Sequence, residues 1–599
     1  MKAAKNFHGG NGKDDNGNLK GMAAYFTTFG EFYLEGYGEG AAVLETWAAN
    51  FPHFVIAQAY VNGESAGAEV LSAGAANVYG LKSMTDGDIR GASRVDEDGN
   101  QKLMKMFQEE LKDVLNAGTD YAGLLTAFDM PVPTYLVNEA GDSLDHWKAV
   151  NRASEEAETV AFLGADAAVY AQQEATWATE YSGNISKVVA VETEADANTY
   201  EFTRELRDAL TDYTRYDNTC PYGNGLFYRV DYTALQVERY TTGEKVVGQV
   251  TGINRDGSEA KAEITILPYT VSVEPTGNYQ QDTYLADLLI YVPESAPETN
   301  IPVVVVWHGG SQTGNLFFDA TMWWQTAAKE GFALALPTRT DHIFRTIDSV
   351  NKLYDVDLFD GAYEILAADG RFDMTRVYTS GQSMGSIASI AVSQYRADKL
   401  AAFYGTNASA PDPNYQGGPV PAAEFVGEGN YDDRGIPGFE ADTSYEEDAI
   451  DSFVRSSGAA AAGADIYWDP ATETAVVPNQ ANYKTWTEYY MDQNGVTLED
   501  LDPNIQYSNA SALNGGTNKA DGTLAEWKTN LARYRTFRWL NADGIPVIEY
   551  TFAMWQAHNC QPGYRPVIWD FFKHYSVVDG VHYYSASAFA EDDAVALFQ

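Results

Sequence analysis

The chain has 599 residues, and 45% of them are hydrophobic, which is enough for two or more packed cores. Its formal net charge is −46 at pH 7, and the acidic side chains are spread along the chain, as expected for a solvated surface. Nucleic acid is excluded as a partner, because phosphate binding needs clusters of lysine and arginine. The only cysteines, Cys220 and Cys560, exclude a disulfide scaffold and a cysteine-rich zinc site, while one disulfide or two free thiols both remain open.

No run of about 18 apolar residues occurs in the sequence, so we expect no transmembrane helix. The first five residues, Met-Lys-Ala-Ala-Lys, are not followed by the apolar stretch of a signal peptide.

The first half of the chain begins with a predicted strand at residues 2–7, which His-Gly-Gly follows at 8–10. A helix is predicted at 41–50 and a strand at 54–61. The same succession recurs in the second half, where 308–310 is again His-Gly-Gly, and a helix at 321–329 and a strand at 332–337 follow. The segment 131–137 likewise resembles 419–426, and 203–213 resembles 566–575. These similarities predict an internal repeat of two related α/β units.

The first of these units, residues 1–225, is expected to be shortened and non-catalytic. One long amphipathic helix at 100–116 occupies most of its middle, and no histidine lies where His558 of the second unit would map. Residues 227–292 alternate between polar and apolar side chains, which predicts antiparallel strands. We assign these strands to the start of the second unit.

The second unit contains the pattern of a nucleophile elbow, a tight turn that presents a serine between a strand and a helix. Residues 375–379 predict the strand, Gly381-Gln382-Ser383-Met384-Gly385 predicts the turn, and the apolar segment ending at Tyr395 predicts the helix. The glycines suit a turn that is too cramped for Cβ atoms. Ser383 is therefore the candidate nucleophile.

Two further segments complete the site that this elbow implies. A buried strand at 303–307 leads into the glycines at 309 and 310, which allow backbone N–H groups to approach a developing oxyanion. A strand at 546–552 is followed by a loop that carries His558, the candidate base, and then by a helix at 566–575. The order of oxyanion loop, serine, acid and histidine is that of α/β-hydrolases. The oxyanion donors are expected to be the N–H groups of Met384 and Gly310, with Gly309 or Ser311 as alternatives to Gly310.

These motifs resemble those of polyhydroxybutyrate-depolymerase and feruloyl-esterase-type α/β-hydrolases over about residues 228–575. The resemblance rests on 308–310, Met-Trp-Trp at 322–324, Arg-Val-Tyr at 376–378, the elbow, and the segment from His558 to Phe572. It implies an α/β-hydrolase catalytic domain at 226–599, preceded by a degenerate hydrolase-like unit, and a serine esterase without a cofactor. About 110 residues at 434–544 exceed the basic plan, and they are expected either to cap the site or to decorate the surface.

The triad acid is less clear than the serine and the histidine. The resembled family has Gly-x-x-Asp after the strand that ends near 426, but this chain has Asn430 at that position. Asp432 is the preferred acid, and Asp433 and Glu428 remain alternatives. Any of these carboxylates would orient the imidazole and stabilise its protonated form.

A second G-x-S-x-G match, residues 63–67, contains Ser65. It is a weaker candidate, because no suitably placed histidine follows it; His146 lies in a helix-like run.

The expected substrates are polyesters, such as polyhydroxyalkanoates or aromatic polyesters, or feruloyl and acetyl esters of plant polymers. Trp307, Trp323 and Trp555 are candidates to line an aromatic pocket, although such residues are as often part of a core. A serine peptidase on the same fold and a non-catalytic polymer- or carbohydrate-binding protein are the alternative functions. We expect a secreted prokaryotic protein; its oligomeric state stays open.

Overall fold

A computed structural model of the chain describes most of its secondary structure. The described residues are 32–52, 55–76, 127–139, 141–174, 184–216, 225–254, 257–272, 283–309, 314–339, 352–406, 411, 415, 417–427, 467–469, 474–476, 486–503, 506–508, 534–553, 564–590 and 592–598. They form two compact units. Unit 1 contains the described residues up to Asp231 and the short segment Gly252–Glu259, and unit 2 contains the others.

Unit 1 is built on a six-stranded sheet with the order β1-β2-β3-β6-β5-β4. Strands β1, β2, β3 and β6 run parallel, whereas β5 and β4 are antiparallel additions. A separate hairpin, β7-β8, follows the sheet. The strands are β1 Phe32–Tyr37, β2 Val55–Val61, β3 Thr134–Val137, β4 Glu158–Phe162, β5 Ala165–Ala171, β6 Lys187–Val191, β7 Tyr213–Tyr216 and β8 Gly225–Tyr228.

Helices cover both faces of this sheet, because its parallel strands are apolar on both sides. One core contains side chains of three helices, α1 Glu39–Asn50, α2 Ala68–Ala75 and α3 Asp142–Val150. The core on the opposite face contains Phe202, Leu206 and Leu210 of α4 Tyr200–Thr211, which recur at helical spacing. Thr199 caps α4 by accepting a hydrogen bond from the Phe202 N–H.

The strand order of unit 1 does not reproduce the predicted repeat. In unit 1, β2 lies directly between β1 and β3. The segments of the second half that we matched to β2 and β3 are not neighbours in the sheet of unit 2, which is described below. A degenerate hydrolase-like unit is therefore not confirmed. The predicted strand at 2–7, the glycine loop at 8–10 and the helix at 100–116 lie outside the described residues.

Unit 2 is built on an eleven-stranded sheet with the order β19-β20-β21-β16-β15-β14-β12-β13-β11-β10-β9. The strands are β9 Val246–Ile253, β10 Glu259–Ser272, β11 Thr283–Pro293, β12 Ile301–Trp307, β13 Ala333–Arg339, β14 Phe372–Gln382, β15 Ala402–Thr406, β16 Ala422–Gly427, β17 Tyr467–Asp469, β18 Thr474–Val476, β19 Gln506–Ser508, β20 Tyr534–Leu540 and β21 Pro546–Ala553. Strands β17 and β18 form a hairpin apart from this sheet.

The centre of the sheet, from β13 through β12, β14, β15 and β16 to β21, is parallel. All seven residues of β12 are buried, as expected for a strand that helices cover on both faces. The order in which successive strands are added to the sheet reverses at β12, since β13 lies on one side of β12 and β14 on the other. The strand that leads to the glycine loop is thereby the neighbour of the elbow strand. This arrangement is that of an α/β-hydrolase-like fold.

The helices of unit 2 are α5 Thr233–Thr242, α6 Gly314–Thr321, α7 Trp323–Glu330, α8 Lys352–Asp369, α9 Met384–Tyr395, α10 Trp486–Asn494 and α11 Tyr564–Phe572. The helix predicted at 321–329 is divided, because Met322 between α6 and α7 has φ 54°. A small antiparallel sheet, β22 Tyr575–Val578, β23 Val581–Tyr584 and β24 Val595–Ala596, follows α11.

The segment 227–292 corrects one expectation. It does contain the antiparallel strands β9, β10 and β11, but α5 precedes them where only strands were predicted. Arg239 of α5 donates a hydrogen bond from its Nε to Asp287 Oδ1 at 3.1 Å, and both side chains are buried. This long-range ion pair holds a helix whose local sequence alternates like a strand.

Described parts of the segment 434–544, which was expected to cap the site or to decorate the surface, pack against the sheet of unit 2. Within it, Trp486, Tyr489 and Tyr490 of α10 are buried, and β20 pairs with β21 in the sheet of unit 2. Asn494 at the end of α10 binds the backbone N–H and C=O of Val420 and the C=O of Val547. These parts of the segment belong to the core of unit 2, whereas residues 434–466 lie outside the described residues.

Candidate active site

Ser383 forms the turn between β14 and α9. Gln382 ends the strand and Met384 begins the helix, so the serine alone connects the two elements. Its backbone has φ 57° and ψ −115°, a conformation that residues with a Cβ rarely adopt. Such strain persists only where the surrounding structure fixes it, and it is concentrated at functional sites. The predicted strand, tight turn and helix around Ser383 are therefore present in the backbone geometry.

The two glycines of the motif are required by close contacts. A Cβ on Gly381 would lie 2.3 Å from the carbonyl oxygen of Gly385 and 2.9 Å from the Trp307 Cβ. A Cβ on Gly385 would lie 2.2 Å from the Trp307 carbonyl oxygen. Real Cβ atoms do not approach other atoms so closely, so no other residue fits either position without a shift of the backbone.

Exposure is confined to the centre of the turn. Residues 377–382 are buried, Ser383 and Met384 are partly exposed, and Gly385 and Ser386 are buried again. The serine hydroxyl is thus the reachable nucleophilic group of this stretch.

The main chain at Ser383 is anchored on both sides. Its N–H donates to the carbonyl oxygen of Thr406, the last residue of β15, at 2.9 Å. Its own carbonyl oxygen accepts from the Ile387 N–H at 3.0 Å, as the first hydrogen bond of α9. Since the Ser383 N–H is occupied, an oxyanion must be stabilised by other donors, such as the following N–H of Met384.

The glycine loop after β12 begins directly beside the elbow. A Cβ on Gly385 would meet the His308 carbonyl oxygen at 2.7 Å as well as that of Trp307. His308 is buried, and its ring Nδ1 is 2.9 Å from the Gly309 carbonyl oxygen. These contacts agree with a structural role for His308. Gly310 and Ser311, the predicted sources of the second oxyanion donor, lie outside the described residues.

Two of the tryptophans considered for a substrate pocket are core residues instead. The Trp307 side chain is fully buried, and its Nε1 donates to Thr379 Oγ1 at 2.7 Å beneath the elbow. Trp323 is 1% exposed and packs edge-on against Phe332. Their size and apolar surface serve the packing of the sheet with its helices. Trp555 lies outside the described residues.

The other predicted members of the site, His558, Asp432 and the alternatives Asp433 and Glu428, also lie outside the described residues. The strands that lead to them are neighbours: β16 and β21 are parallel, with Gly427 opposite Ala553 at their carboxyl ends. Strand β14 ends at the same edge of the sheet, since the strands between it and β21 are all parallel. Cys220 and Cys560 also lie outside the described residues.

Ser65 does not have elbow geometry. It lies in the segment between β2 and α2, where Asn62 and Gly67 have positive φ but the serine does not. The Ser65 hydroxyl accepts a hydrogen bond from the Gly67 N–H at 3.1 Å. Ser65 therefore stabilises a turn.

His146, the later histidine of this half of the chain, lies in α3, where burial lowers its pKa to about 4.

The remaining described histidines of unit 2 have structural partners. His574 Nδ1 lies 2.8 Å from the Ser585 carbonyl oxygen, and His582 Nε2 lies 2.8 Å from that of Leu400. Among the described residues, no group of three or more His, Cys, Asp or Glu side chains is placed to hold a metal ion. None of the helices in the described part of the chain is both long and apolar enough to cross a membrane.

No protein-family model matches the chain, and no curated protein matches it. Solved structures similar to it include a mutant of the feruloyl esterase module from Clostridium thermocellum, at 13% identity over 28% of this chain and 67% of that chain, with a TM-score of 0.21. Acetyl xylan esterase from Aspergillus awamori is 13% identical over 51% and 98% of the two chains, with a TM-score of 0.28. An S-formylglutathione hydrolase from Agrobacterium tumefaciens is 13% identical over 28% and 76%, with a TM-score of 0.22. At these values the likenesses assign no activity to this chain.

Three residues next to the elbow were missed by the sequence reasoning. Ser386 and Thr406 bind one another, since the Thr406 N–H donates to Ser386 Oγ at 3.1 Å. Glu424 lies in the middle of β16 and is fully buried. A glutamate within the apolar run Pro-Ala-Ala-Glu-Phe-Val was a signal that could have been noticed, because buried carboxylates are rare without a purpose.

Proposed function

We propose that unit 2 is a serine carboxylic-ester hydrolase that works through an acyl-enzyme, with Ser383 as its nucleophile. The observation that carries this proposal is the strained backbone of Ser383 between β14 and α9, held by glycine contacts on both sides. Strain of this kind exposes a serine hydroxyl above the end of the sheet, which is where α/β-hydrolases attack a carbonyl carbon.

In the proposed reaction, His558 accepts the proton of the Ser383 hydroxyl while the oxygen attacks the ester carbonyl. The tetrahedral intermediate collapses, and His558 returns the proton to the leaving alcohol. Water then attacks the acyl-enzyme, with His558 again as the base, and releases the carboxylic acid. Asp432 would hold the imidazole in the productive tautomer and stabilise its protonated form, and Asp433 and Glu428 are the alternatives for this role.

The sheet geometry supports this assignment of roles. Asp432 follows the end of β16 by five residues, and His558 follows the end of β21 by five. Neighbouring strands are about 4.8 Å apart, so β16 and β21 lie roughly 10 and 14 Å from β14. Five extended residues span up to about 17 Å. Both segments are therefore long enough to bring a side chain to Ser383.

The oxyanion is proposed to bind to the backbone N–H groups of Met384 and Gly310. Support comes from the contact between Gly385 and the carbonyl oxygens of Trp307 and His308, which brings the start of the glycine loop to the elbow. Preorganised donors of this kind typically contribute about 3 kcal/mol each to transition-state stabilisation.

For the substrate we propose polyesters, namely polyhydroxyalkanoates or aromatic polyesters, or feruloyl and acetyl esters of plant polymers. The support is the resemblance of the sequence motifs to enzymes of that kind. A comparison of initial rates on p-nitrophenyl acetate, methyl ferulate, polyhydroxybutyrate and an aromatic polyester film tests it. Turnover of the acetate alone would leave a small-ester esterase.

The proposed activity is tested by a pair of serine variants. Ser383→Ala should lower kcat for p-nitrophenyl acetate by about three or more powers of ten, because the nucleophile is lost. Ser65→Ala, which removes a serine from the other G-x-S-x-G match, should leave the rate within about twofold. Equal activity of Ser383→Ala and the wild type would refute the proposal, and faster cleavage of peptide than of ester substrates would favour a peptidase.

A further inference from the structure

The end of β15 is packed against the elbow by a set of contacts that the proposed reaction does not use. Gly405 and Thr406 are the last two residues of this strand, opposite Gly381 and Gln382 of β14. Thr406 is 1% exposed and Ser386 of α9 is fully buried, so their mutual hydrogen bond is shielded from water. This hydrogen bond restricts the position of Thr406 relative to Ser386, because breaking it would leave a buried N–H without an acceptor.

Two hydrogen bonds connect Ser386 to the nucleophile. Ser386 Oγ accepts from the Thr406 N–H at 3.1 Å, and the Thr406 carbonyl oxygen accepts from the Ser383 N–H at 2.9 Å. The backbone N–H and C=O of Thr406 thus bind Ser386 and Ser383, two residues that lie three positions apart in the same elbow. Any displacement of Thr406 would be transmitted to the amide that fixes the φ angle of Ser383.

A carboxyl oxygen of Glu424 lies near the Ser386 hydroxyl. A Cβ on Gly405 would lie 2.0 Å from Glu424 Oε2 and 2.3 Å from Ser386 Oγ, so the glycine leaves a space that both oxygens border. A carboxyl oxygen can accept a hydrogen bond, and a hydroxyl rotates to suit its surroundings. Since Ser386 Oγ accepts from the Thr406 N–H, its hydroxyl proton remains for a neighbouring acceptor, and Glu424 Oε2 borders the same space.

We propose that Ser386 is a positioning residue for Ser383, acting through Thr406, and that Glu424 orients its hydroxyl. The inference rests on the proposed function. Ser386 and Glu424 touch no substrate in this account; they hold the strained turn in the geometry from which Oγ attacks. Their loss should lower kcat, while substrate binding and KM change little, because alignment of the nucleophile matters in the transition state.

The test uses Ser386→Ala and Glu424→Gln in the full chain, together with the double variant. A control is Ser393→Ala, which removes another fully buried serine of α9 whose hydroxyl bonds Ile390 O and Tyr490 OH instead. All rates are divided by the concentration of reactive serine, titrated with a fluorophosphonate, so that loss of folded protein does not count as loss of kcat.

Ser386→Ala should lower kcat for p-nitrophenyl acetate by about 10- to 100-fold with KM within about twofold, as for a misplaced catalytic group. Glu424→Gln should give a smaller loss, and the double variant should be no slower than Ser386→Ala, because both act on one contact. Ser393→Ala should keep its kcat. If Ser386→Ala does not fold, the isosteric Glu424→Gln variant decides through the same kcat and KM measurement.

Unchanged kcat per reactive serine in Ser386→Ala and Glu424→Gln, with lowered melting temperatures only, would overturn the positioning role and leave these residues as core packing. That result is distinct from failure of the proposed function, in which the wild-type chain itself would show no reactive serine at position 383.

Discussion

The positive-φ backbone of Ser383 is held by contacts from several neighbours. Trp307 and Gly385 meet at the base of the turn, and Thr406 holds the serine N–H from the adjacent strand. The cost of such a conformation is on the order of 1–3 kcal/mol, so the fold must offset it elsewhere. The offset comes from the buried parallel strands on both sides of β14, which leave the turn no room to relax.

Unit 1 has a buried carboxyl with a different consequence. Glu139, two residues beyond the end of β3, accepts a hydrogen bond from Ser143 through Oε1, and its Oε2 has no hydrogen-bond partner among the described residues. Burial, and secondarily the charge of Glu45, raises the pKa of Glu139 from 4.5 to about 7. The fold thus favours the protonated carboxyl. Its contribution to stability is complete below about pH 4.5 and is lost as the pH rises through about 7.

Glu139→Gln should therefore stabilise unit 1 more at pH 8 than at pH 5, by roughly 1–3 kcal/mol, because the amide stays neutral. Hydrogen exchange of peptides from β3 and α3 in the intact chain, compared with wild type at each pH, measures the difference. The exposed neighbour Glu64→Gln is the control. An equal effect of Glu139→Gln at both pH values would show that this carboxyl is ionised in the folded chain throughout the range.

At the scale of elements, the sequence predicted those strands and helices whose apolar pattern agrees with the turn residues that bound them. Strand β12, the elbow with α9, and β21 were predicted close to their observed bounds, because valine-rich runs and glycine turns act locally. The position of Ser383 followed from the same local signals. Helix α5 was missed, because a buried ion pair to β11 and not its own periodicity holds it.

The role of α10 could not be read from local sequence either. The segment that contains it was expected to cap the site or to decorate the surface. In the structure the rings of Trp486 and Tyr490 pack at a tilt, and the Tyr490 hydroxyl hydrogen-bonds to Ser393 of α9. Which face of a helix is covered depends on strands distant in the chain. The triad acid illustrates the same limit, since Asn430 stands where a family pattern has aspartate and only three-dimensional proximity can select a substitute.

Asn494 tests how far α10 is part of the core. Asn494→Leu should destabilise unit 2 by about 2–4 kcal/mol, because the backbone groups of Val420 and Val547 lose their buried partners. The urea midpoint, followed by loss of esterase activity, measures this. Glu499→Gln, at an exposed position just beyond α10, should leave the midpoint unchanged. A shift of less than about 0.5 kcal/mol for Asn494→Leu would mean that the segment is peripheral.

At the scale of the whole molecule, the two units carry different kinds of glycine-flanked serine. Ser383 has a strained backbone with positive φ, whereas Ser65 stabilises a turn beside the buried carboxyl group of Glu45. The two sheets also differ in strand order, so the similar segments of the two halves do not fold into equivalent positions. The composition predicted two or more cores. The strand order of each sheet, however, depends on pairing between strands that are distant in the chain, and local residue patterns do not encode that pairing.

The central claim, that this chain has one reactive serine and that it is Ser383, is tested most directly by covalent labelling of the intact protein. Incubation with a fluorophosphonate, followed by proteolysis and mass spectrometry, should give one adduct per chain, on the peptide that contains Ser383. The serine is expected to react because the proposed mechanism activates its hydroxyl and because the residue is partly exposed at the elbow. An adduct on Ser65, or ester hydrolysis that persists with no adduct on Ser383, would contradict the account.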